Sequence, residues 1–289
     1  MVILPPAVKR ENLAEGYLTY LVNEEYCKAR IARHGGHVME WMPKGQTEPV
    51  LYLSPQALFS EGKPIRGGIP VCWPWFNAHP SDPEKPSHGL ARNRFWTVTD
   101  VSEHRDDVFL ELSLNDDEET RAIWPHAFEL KLALTIGETL KLNLTAKNLS
   151  DKPIEVTGAL HSYFRVGDIG QTHFSGLEGV SYLDTVGGKN EEVSAGSTLI
   201  KEEVDRIYHG GGEISIHDGA NNRVIKLTSK GSNSTVIWNP WVDKSKAIGD
   251  LPDEDYKQFL CVETANAAKD VVTIAPGKSH TLGVLIEVL

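Results

Sequence analysis

Two short segments place a titratable side chain inside an apolar run. His161 lies in a Leu-His-Ser-Tyr-Phe segment, and Glu263 ends the apolar run of residues 259–262. Histidine titrates near neutral pH, so it can donate or accept a proton in catalysis. A buried carboxylate is costly unless it is paired, hydrogen-bonded, or used for chemistry that needs a raised pKa. Both residues are therefore candidates for acid–base catalysis, and an ordinary hydrogen-bonded histidine and a structural carboxylate are the alternatives.

A loop-rich segment at residues 61–86 contains side chains suited to ligand binding. It holds six of the 16 prolines and three glycines, and it is too long for an idle connection. Arg66 precedes two glycines there, and an arginine fork can bind phosphate or carboxylate. Trp73, Trp75 and Phe76 offer flat faces on which a sugar ring can pack, although such a run is also typical of a core plug.

Two further blocks add candidates to the same cleft. Ser87 and His88 stand four to five residues before Arg92, in a Ser-His-Gly-Leu-Ala-Arg-Asn segment. Trp238 opens a Trp-Asn-Pro-Trp segment that repeats the aromatic–proline pattern. We therefore include Trp238 among the predicted substrate-binding residues.

Metal and nucleotide motifs are weak. His34 and His37 are separated by two glycines, do not lie on a helix, and have no carboxylate at the usual ligand spacing. The three glycines at 210–212 lack the preceding strand and following helix of a dinucleotide fingerprint. We expect neither a metal nor a cofactor.

Alternating hydrophobicity predicts that strands position these residues. Residues 127–136 alternate apolar and polar, a turn at 137–138 follows, and the alternation resumes from 140, which predicts a hairpin. Residues 154–166 predict one strand with His161 on the polar face. A helix of two turns is predicted at 117–124, where Asp117 can cap it. Further strands are predicted at residues 108–114, 213–217, 223–228, 235–238, 259–262 and 281–288.

The many strands and scarce helices predict an all-β fold. Two packed antiparallel sheets would form a large β-sandwich with few short helices. The sequence has no fixed-period repeat and no Gly/Ser linker, so we expect a single domain spanning residues 1–289.

Composition excludes several classes of protein. The 29 basic residues against 40 acidic ones give a net charge of −11, which disfavours nucleic acid as a partner. No run approaches the roughly 20 apolar residues of a membrane span, and residues 1–6 are too short for a signal peptide. Three widely spaced cysteines, without a C-x-x-C pair, fit a reducing cytoplasm. We expect a cytoplasmic monomer.

Four blocks, in order along the chain, resemble one enzyme family. They are Arg-Gly-Gly-Ile-Pro-Val-Cys-Trp-Pro-Trp-Phe, His-Gly-Leu-Ala-Arg-Asn, Leu-His-Ser-Tyr-Phe and Cys-Val-Glu-Thr-Ala. From about Val38 onward the sequence resembles the hexose-6-phosphate mutarotases, the glucose-6-phosphate 1-epimerase branch of the aldose 1-epimerase superfamily. The resemblance implies the galactose-mutarotase-like β-sandwich, in agreement with the strand pattern.

The resemblance also implies roles for individual residues. His161 and Glu263 match the catalytic histidine and glutamate of the family. Arg66 and Arg92 match substrate-binding arginines, His88 a second active-site histidine, and Asp184 a binding aspartate. Ser87 is included with these four among the predicted substrate-binding residues. Ser87 departs from the family, where a larger polar residue often precedes the histidine. The segment 205–208 also resembles the family, without an assignable role.

The implied reaction interconverts the α and β anomers of a hexose 6-phosphate. Glu263 would take the proton of the anomeric hydroxyl and His161 would protonate the ring oxygen. The arginines would bind the phosphate. An aldose 1-epimerase acting on free sugars and a non-catalytic carbohydrate-binding protein are the alternatives. A glycoside hydrolase would need two carboxylates, and the sequence offers one convincing candidate.

Overall fold

The computed structural model describes residues 2–14, 16–188, 190–196 and 198–289. In chain order its strands are β1 (Val8–Ala14), β2 (Tyr17–Asn23), β3 (Cys27–Ala32), β4 (His37–Pro43), β5 (Val71–Cys72), β6 (Thr97–Glu103), β7 (Asp107–Asn115), β8 (Phe128–Gly137), β9 (Leu140–Asn148), β10 (Ile154–Val156), β11 (Gly158–Leu160), β12 (Tyr163–Arg165), β13 (Thr172–Ser175), β14 (Ser181–Asp184), β15 (Asn190–Val193), β16 (Thr198–Leu199), β17 (Val204–Tyr208), β18 (Glu213–Asp218), β19 (Arg223–Lys230), β20 (Ser234–Asn239), β21 (Phe259–Asn266), β22 (Val272–Ile274) and β23 (Ser279–Val288).

Helical structure is sparse in the described part of the chain. The α-helices are α1 (Glu118–Ile123) and α2 (Trp241–Ala247), and 3-10 turns span Ala91–Asn93, Ile169–Gln171 and Asp255–Gln258. The predicted helix is confirmed as α1: the Asp117 side chain accepts a hydrogen bond from the Thr120 amide, and Pro125 follows the last turn. None of the helices in the described residues is long and apolar enough to cross a membrane.

Two large antiparallel sheets dominate the described residues and confirm the predicted all-β class. The nine-stranded sheet has the order β16-β13-β18-β19-β23-β9-β8-β7-β6. The eight-stranded sheet has the order β15-β14-β17-β20-β21-β11-β5, and β12 also pairs with β21. Smaller sheets consist of β1 to β4 and of β10 with β22. The predicted hairpin is confirmed as β8 and β9, with Leu132 opposite Leu144.

The main core contains residues from both large sheets. Leu132 and Leu142 of the nine-stranded sheet belong to the same buried cluster as Ile237, Leu260 and Val262 of the eight-stranded sheet. Full burial of one such side chain stabilises the fold by about 1.5–3 kcal/mol. Side chains alternate between the two faces along a strand. Cys261 and Glu263 of β21 therefore project from the opposite, outer face of the eight-stranded sheet.

The prediction of one strand over residues 154–166 is wrong, because the chain forms three short strands there and changes its partner once, from β22 to β21. Strand β10 pairs with β22, whereas β11 and β12 pair with β21. Between β11 and β12, the His161 amide donates to the Pro70 carbonyl at 3.0 Å. The alternation of apolar and polar residues continues through both breaks. It could not reveal them, because the breaks arise from pairing with distant strands. His161 lies on the face opposite the main core, as predicted, although it is buried there.

Candidate active site

The pairing of β11 with β21 places His161 opposite Glu263. Leu160 pairs with Thr264, and the pairing resumes in the same register beyond the next two residues. His161 and Glu263 therefore occupy facing positions on the outer face of the sheet. The Nδ1 atom of His161 lies 3.3 Å from Oε1 of Glu263. Both residues are buried, with exposed fractions of 8% and 1%.

A cavity of about 310 Å³ opens onto this pair, within the size range of small-molecule sites. Most of the side chains predicted for the site line it together. They are Arg66, Ser87, His88, Arg92, His161, Trp238 and Glu263. The cavity is also lined by Phe76, Asn77, Tyr163, Asp205, Val236 and Lys244.

Asp184 does not belong to the residues that line this cavity. It pairs in register with Arg206, and its Oδ2 atom accepts a hydrogen bond from the Arg206 Nε–H at 3.1 Å. Asp205 precedes Arg206 on the same strand, so its side chain projects from the other face of the sheet, towards the cavity. Contact between Asp184 and substrate stays a prediction, and Asp205 is the aspartate that lines the cavity together with Glu263.

Backbone hydrogen bonds connect the loop that carries Arg66 to β12, the strand that follows His161. The Tyr163 amide donates to the Gly68 carbonyl at 2.9 Å, and the Gly68 amide donates to the Tyr52 carbonyl at 2.6 Å. Gly68 has a φ of +62°, and a Cβ there would lie 2.3 Å from the Val38 carbonyl oxygen. Only glycine fits this left-handed, crowded position, which explains the paired glycines after Arg66.

His34 and His37, whose spacing weakly suggested a zinc site, form hydrogen-bond contacts within the fold. His37 Nε2 lies 2.9 Å from the Gly67 carbonyl oxygen. Burial lowers the pKa of His37 to about 3, so its neutral ring donates this hydrogen bond. His34 Nδ1 lies 3.2 Å from the Tyr17 hydroxyl. The His37 contact fixes the backbone next to Arg66.

The Trp-Pro-Trp-Phe run divides between core and cavity. Trp73 is 3% exposed, belongs to the main core, and meets Trp124 edge-on at 5.0 Å. Phe76 lines the cavity beside the acid–base pair. A larger, mostly apolar cavity of about 540 Å³ adjoins this one and shares Phe76 and Asn77 with it. The core-plug interpretation therefore holds for Trp73 and fails for Phe76.

Arg66 and Lys244 each reach the cavity already paired with a carboxylate. Arg66 Nε donates to Asp250 Oδ1 at 3.0 Å. Lys244 Nζ lies 2.9 Å from Glu203 Oε1 and 3.9 Å from an oxygen of Asp205. These pairs reduce the positive charge that both side chains present to a ligand.

Arg92 differs from those two cations. It lies in the 3-10 turn Ala91–Asn93, and its NH2 group donates to the Ser87 carbonyl at 2.9 Å. Its buried Nε has no hydrogen-bond partner in the described residues, and none of their carboxylates lies within ion-pair distance of it. An unneutralised, partly unsatisfied guanidinium beside a cavity is suited to an anionic ligand.

Burial shifts the pKa values of the acid–base pair in opposite directions. Burial raises the pKa of the Glu263 carboxyl well above its ordinary value, and the charge of Asp205 raises it further. Burial also lowers the pKa of His161, and the nearby His88, Arg92 and Arg66 add to that effect. Both shifts favour the uncharged form of each group, a protonated carboxyl and a neutral imidazole, so the pair as a whole carries one proton that either side chain can hold.

Sequence reasoning missed four polar residues of the cavity: Asn77, Tyr163, Asp205 and Lys244. Tyr163 lies in the Leu-His-Ser-Tyr-Phe segment but was not assigned to the site. Asn77 lies in the predicted binding loop but was not singled out. Asp205 lies in the segment that resembled the family without an assigned role, and alternation along β17 would have put it on the face opposite Arg206. Lys244 is carried by α2, whose start is fixed by the Asn239 side chain accepting a hydrogen bond from the Trp241 amide. That asparagine–proline turn was the available signal for Lys244.

Comparison with known proteins places this arrangement in one family. The model of the aldose 1-epimerase family matches residues 18–287. A relative from Escherichia coli K12, provisionally named glucose-6-phosphate 1-epimerase, is 39% identical over 268 residues, covering 92% of this chain and 88% of the relative. A relative from Cenchrus ciliaris with the same provisional name is 37% identical over 263 residues, covering 87% of this chain and 78% of the relative.

A solved structure has a closely similar fold over the length of this chain. The crystal structure of a protein from Salmonella typhimurium, provisionally described as a mutarotase, superposes with a TM-score of 0.93 at 35% identity. The match covers 100% of this chain and 95% of the other. The family model and the solved structure both span the strands and loops that carry the acid–base pair and the cavity around it. The chain therefore belongs to the aldose 1-epimerase family, a family of isomerases.

Proposed function

We propose that this protein interconverts the α and β anomers of glucose 6-phosphate and related hexose 6-phosphates. The observation that carries the proposal is the facing pair of His161 and Glu263 in a cavity that also presents the unneutralised Arg92. The relatives named as glucose-6-phosphate 1-epimerases support the phosphorylated substrate.

In the proposed mechanism, the pair opens and closes the sugar ring with one proton removed and one supplied. Ionised Glu263 removes the proton of the anomeric hydroxyl. The bond between C1 and the ring oxygen breaks, its electrons pass to the ring oxygen, and that oxygen takes the proton of protonated His161. The product is the open-chain aldehyde. The chemistry therefore needs one proton on the pair as the sugar binds.

Ring closure reverses these steps on the other face of the aldehyde. Rotation about the bond between C1 and C2 turns the carbonyl over. Neutral His161 takes the hydroxyl proton back as the oxygen attacks C1, and Glu263 returns its proton to the new anomeric oxygen. The pair ends in its starting state, so no net acid or base is consumed.

The unpaired charge of Arg92 supports its role as the main phosphate anchor. Arg66 and Lys244 already contact Asp250 and Glu203, whereas Arg92 has only a carbonyl partner. A phosphate oxygen would satisfy the buried Nε or the remaining N–H groups of Arg92. Arg66, fixed in place by its own partners, would be a second contact.

We expect Arg92→Ala to impair the phosphorylated sugar selectively. The lost charge-assisted contact is worth about 1.5–3 kcal/mol, so kcat/KM for glucose 6-phosphate should fall roughly ten- to a hundredfold. Arg66→Ala should act in the same direction. Wild-type protein should turn over free glucose poorly, and neither variant should change that residual rate much. Anomer exchange of both sugars, followed by NMR in parallel, measures the effect.

Arg94→Ala is the matched control for the arginine variants. Arg94 lies two residues from Arg92 and forms an ion pair with Glu119 outside the lining of the cavity. It should leave both sugars unaffected. Equal losses on glucose and glucose 6-phosphate for Arg92→Ala would show that the arginine contacts the ring or braces the loop, and the phosphate assignment would be wrong.

A non-catalytic carbohydrate-binding protein is the second candidate. The cavity, with Trp238 and Phe76 in its wall, would suit a sugar without any turnover. Binding alone, however, does not require a buried carboxylate and imidazole 3.3 Å apart, an arrangement that is costly to bury. This geometry favours the enzyme.

The cellular location and oligomeric state complete the proposal. Cys27, Cys72 and Cys261 are free and buried. Unpaired thiols are typical of reducing compartments, which supports the expected cytoplasmic location. The monomeric state stays a prediction that light scattering on the purified protein would check.

A further inference from the structure

The ring of His161 is oriented by packing and not by a hydrogen bond at Nδ1. Although Nδ1 lies 3.3 Å from Glu263, it is not aligned for a hydrogen bond, and no other described residue supplies one. The Tyr163 ring lies nearly parallel to the imidazole, with centroids 4.9 Å apart and an interplanar angle of 9°. The neighbouring rings of His88 and Trp238 meet it edge-on at 62° and 83°. Tyr163 therefore supplies the flat surface on which the imidazole lies.

The hydroxyl of the same tyrosine holds Arg66. The NH1 group of Arg66 donates to the Tyr163 hydroxyl oxygen at 3.1 Å, while its Nε donates to Asp250 at 3.0 Å. Tyr163 is 2% exposed, and its ring packs against Phe259 at 5.4 Å, so the phenol cannot easily move. The guanidinium is thus held between a carboxylate and an immobilised hydroxyl.

We propose that Tyr163 is a positioning residue with two separable parts: its ring face fixes the plane of the His161 imidazole, and its hydroxyl fixes the Arg66 guanidinium. The proposal rests on the proposed mutarotase function. It makes one side chain the link between the proton donor and a phosphate contact. Burial raises the pKa of the Tyr163 phenol above its ordinary value, so the hydroxyl stays protonated and is not itself the base.

Two substitutions separate the parts. Tyr163→Phe keeps the stacked ring and removes the hydroxyl, so KM for glucose 6-phosphate should rise about three- to tenfold while kcat stays within about twofold. Tyr163→Leu removes both, so kcat should also fall by about tenfold or more because the imidazole loses its orientation. Steady-state anomerisation of glucose 6-phosphate across a pH range measures both variants.

The pH profile distinguishes positioning from a general loss of structure. The titratable and charged groups around His161 are Glu263, His88, Arg66 and Arg92, and all are retained in Tyr163→Leu. Removing the ring opens His161 to water, which raises its lowered pKa towards the ordinary value. Activity that needs protonated His161 then extends to higher pH, so the limb of the profile that His161 sets should move upward. Partial unfolding would reduce the active fraction without moving that limb.

Tyr52→Phe is the matched control. Tyr52 is a buried tyrosine of the same aromatic cluster, but its hydroxyl donates to Asp255 at 2.6 Å. Its variant should keep kcat and KM within about twofold of wild type. An equal rise in KM for Tyr52→Phe and Tyr163→Phe, or an equal fall in kcat for the two Tyr163 variants, would overturn the proposal. If Tyr163→Leu does not fold, an unchanged KM in Tyr163→Phe is sufficient to overturn it. Wild-type protein without activity would instead overturn the proposed function.

Discussion

Glu263→Gln should lower the turnover of glucose 6-phosphate by roughly two to four orders of magnitude, the range expected on removal of a general base. Glutamine keeps the size of the side chain at a site that is 1% exposed, so the fold should persist. The neutral amide cannot accept the proton of the anomeric hydroxyl. Turnover is measured by exchange between the anomeric proton signals, and circular dichroism checks the fold.

Asp184→Asn is the control for that variant. It removes a carboxylate charge from the same sheet, at a position outside the cavity lining. Because Asp184 is not the assigned base, its variant should lose far less turnover than Glu263→Gln, whether or not Asp184 contacts the substrate. If Glu263→Gln were fully active and Asp184→Asn were not, Glu263 would be a structural carboxylate and Asp184 the first candidate for the base.

His161→Asn should cause a loss of similar size, because the ring oxygen would lose its proton donor. The double variant with Glu263→Gln should be little worse than either single one, since both residues serve the same steps and their effects do not add. Fully additive losses would show that the two side chains act independently, and the concerted role of the pair would be wrong.

The two variants should also respond to pH in opposite directions. In His161→Asn the remaining activity needs ionised Glu263, so it should rise as pH increases through the raised pKa of that carboxyl. In Glu263→Gln it needs protonated His161, so it should rise as pH decreases towards the lowered pKa of the imidazole. The wild-type profile should be bell-shaped, with limbs that belong to the coupled pair. Slopes of the same sign in both variants would contradict the assigned roles.

Local sequence patterns predicted the strands better than their partners. Alternating leucines identified the hairpin of β8 and β9, and Asp117 identified the start of α1, because both depend on neighbouring residues. The breaks within residues 154–166 depend on pairing with β21 and β22, which are about 100 residues away in the chain. Such long-range pairing leaves no trace in the alternation itself.

The same limit applies to the candidate site. His161 and Glu263 stood out because titratable groups are unusual within apolar runs, yet their facing positions follow only from the register of two distant strands. Asp184 and Asp205 show that a shift of one residue in a strand changes the face of the sheet from which a side chain projects. Asp184 pairs with Arg206, so the neighbouring Asp205 projects to the cavity instead. Lys244 could not be placed from the sequence because α2, which carries it, is too short to show a helical pattern of apolar residues.

The central claim is tested most directly by the anomer exchange of glucose 6-phosphate in the presence of the wild-type protein. Two-dimensional exchange NMR reports the rate between the α and β anomeric protons. The account predicts a rate that rises in proportion to protein concentration and returns to the buffer value with the double variant of His161 and Glu263. A wild-type rate equal to that in buffer, from protein shown to be folded, would contradict it.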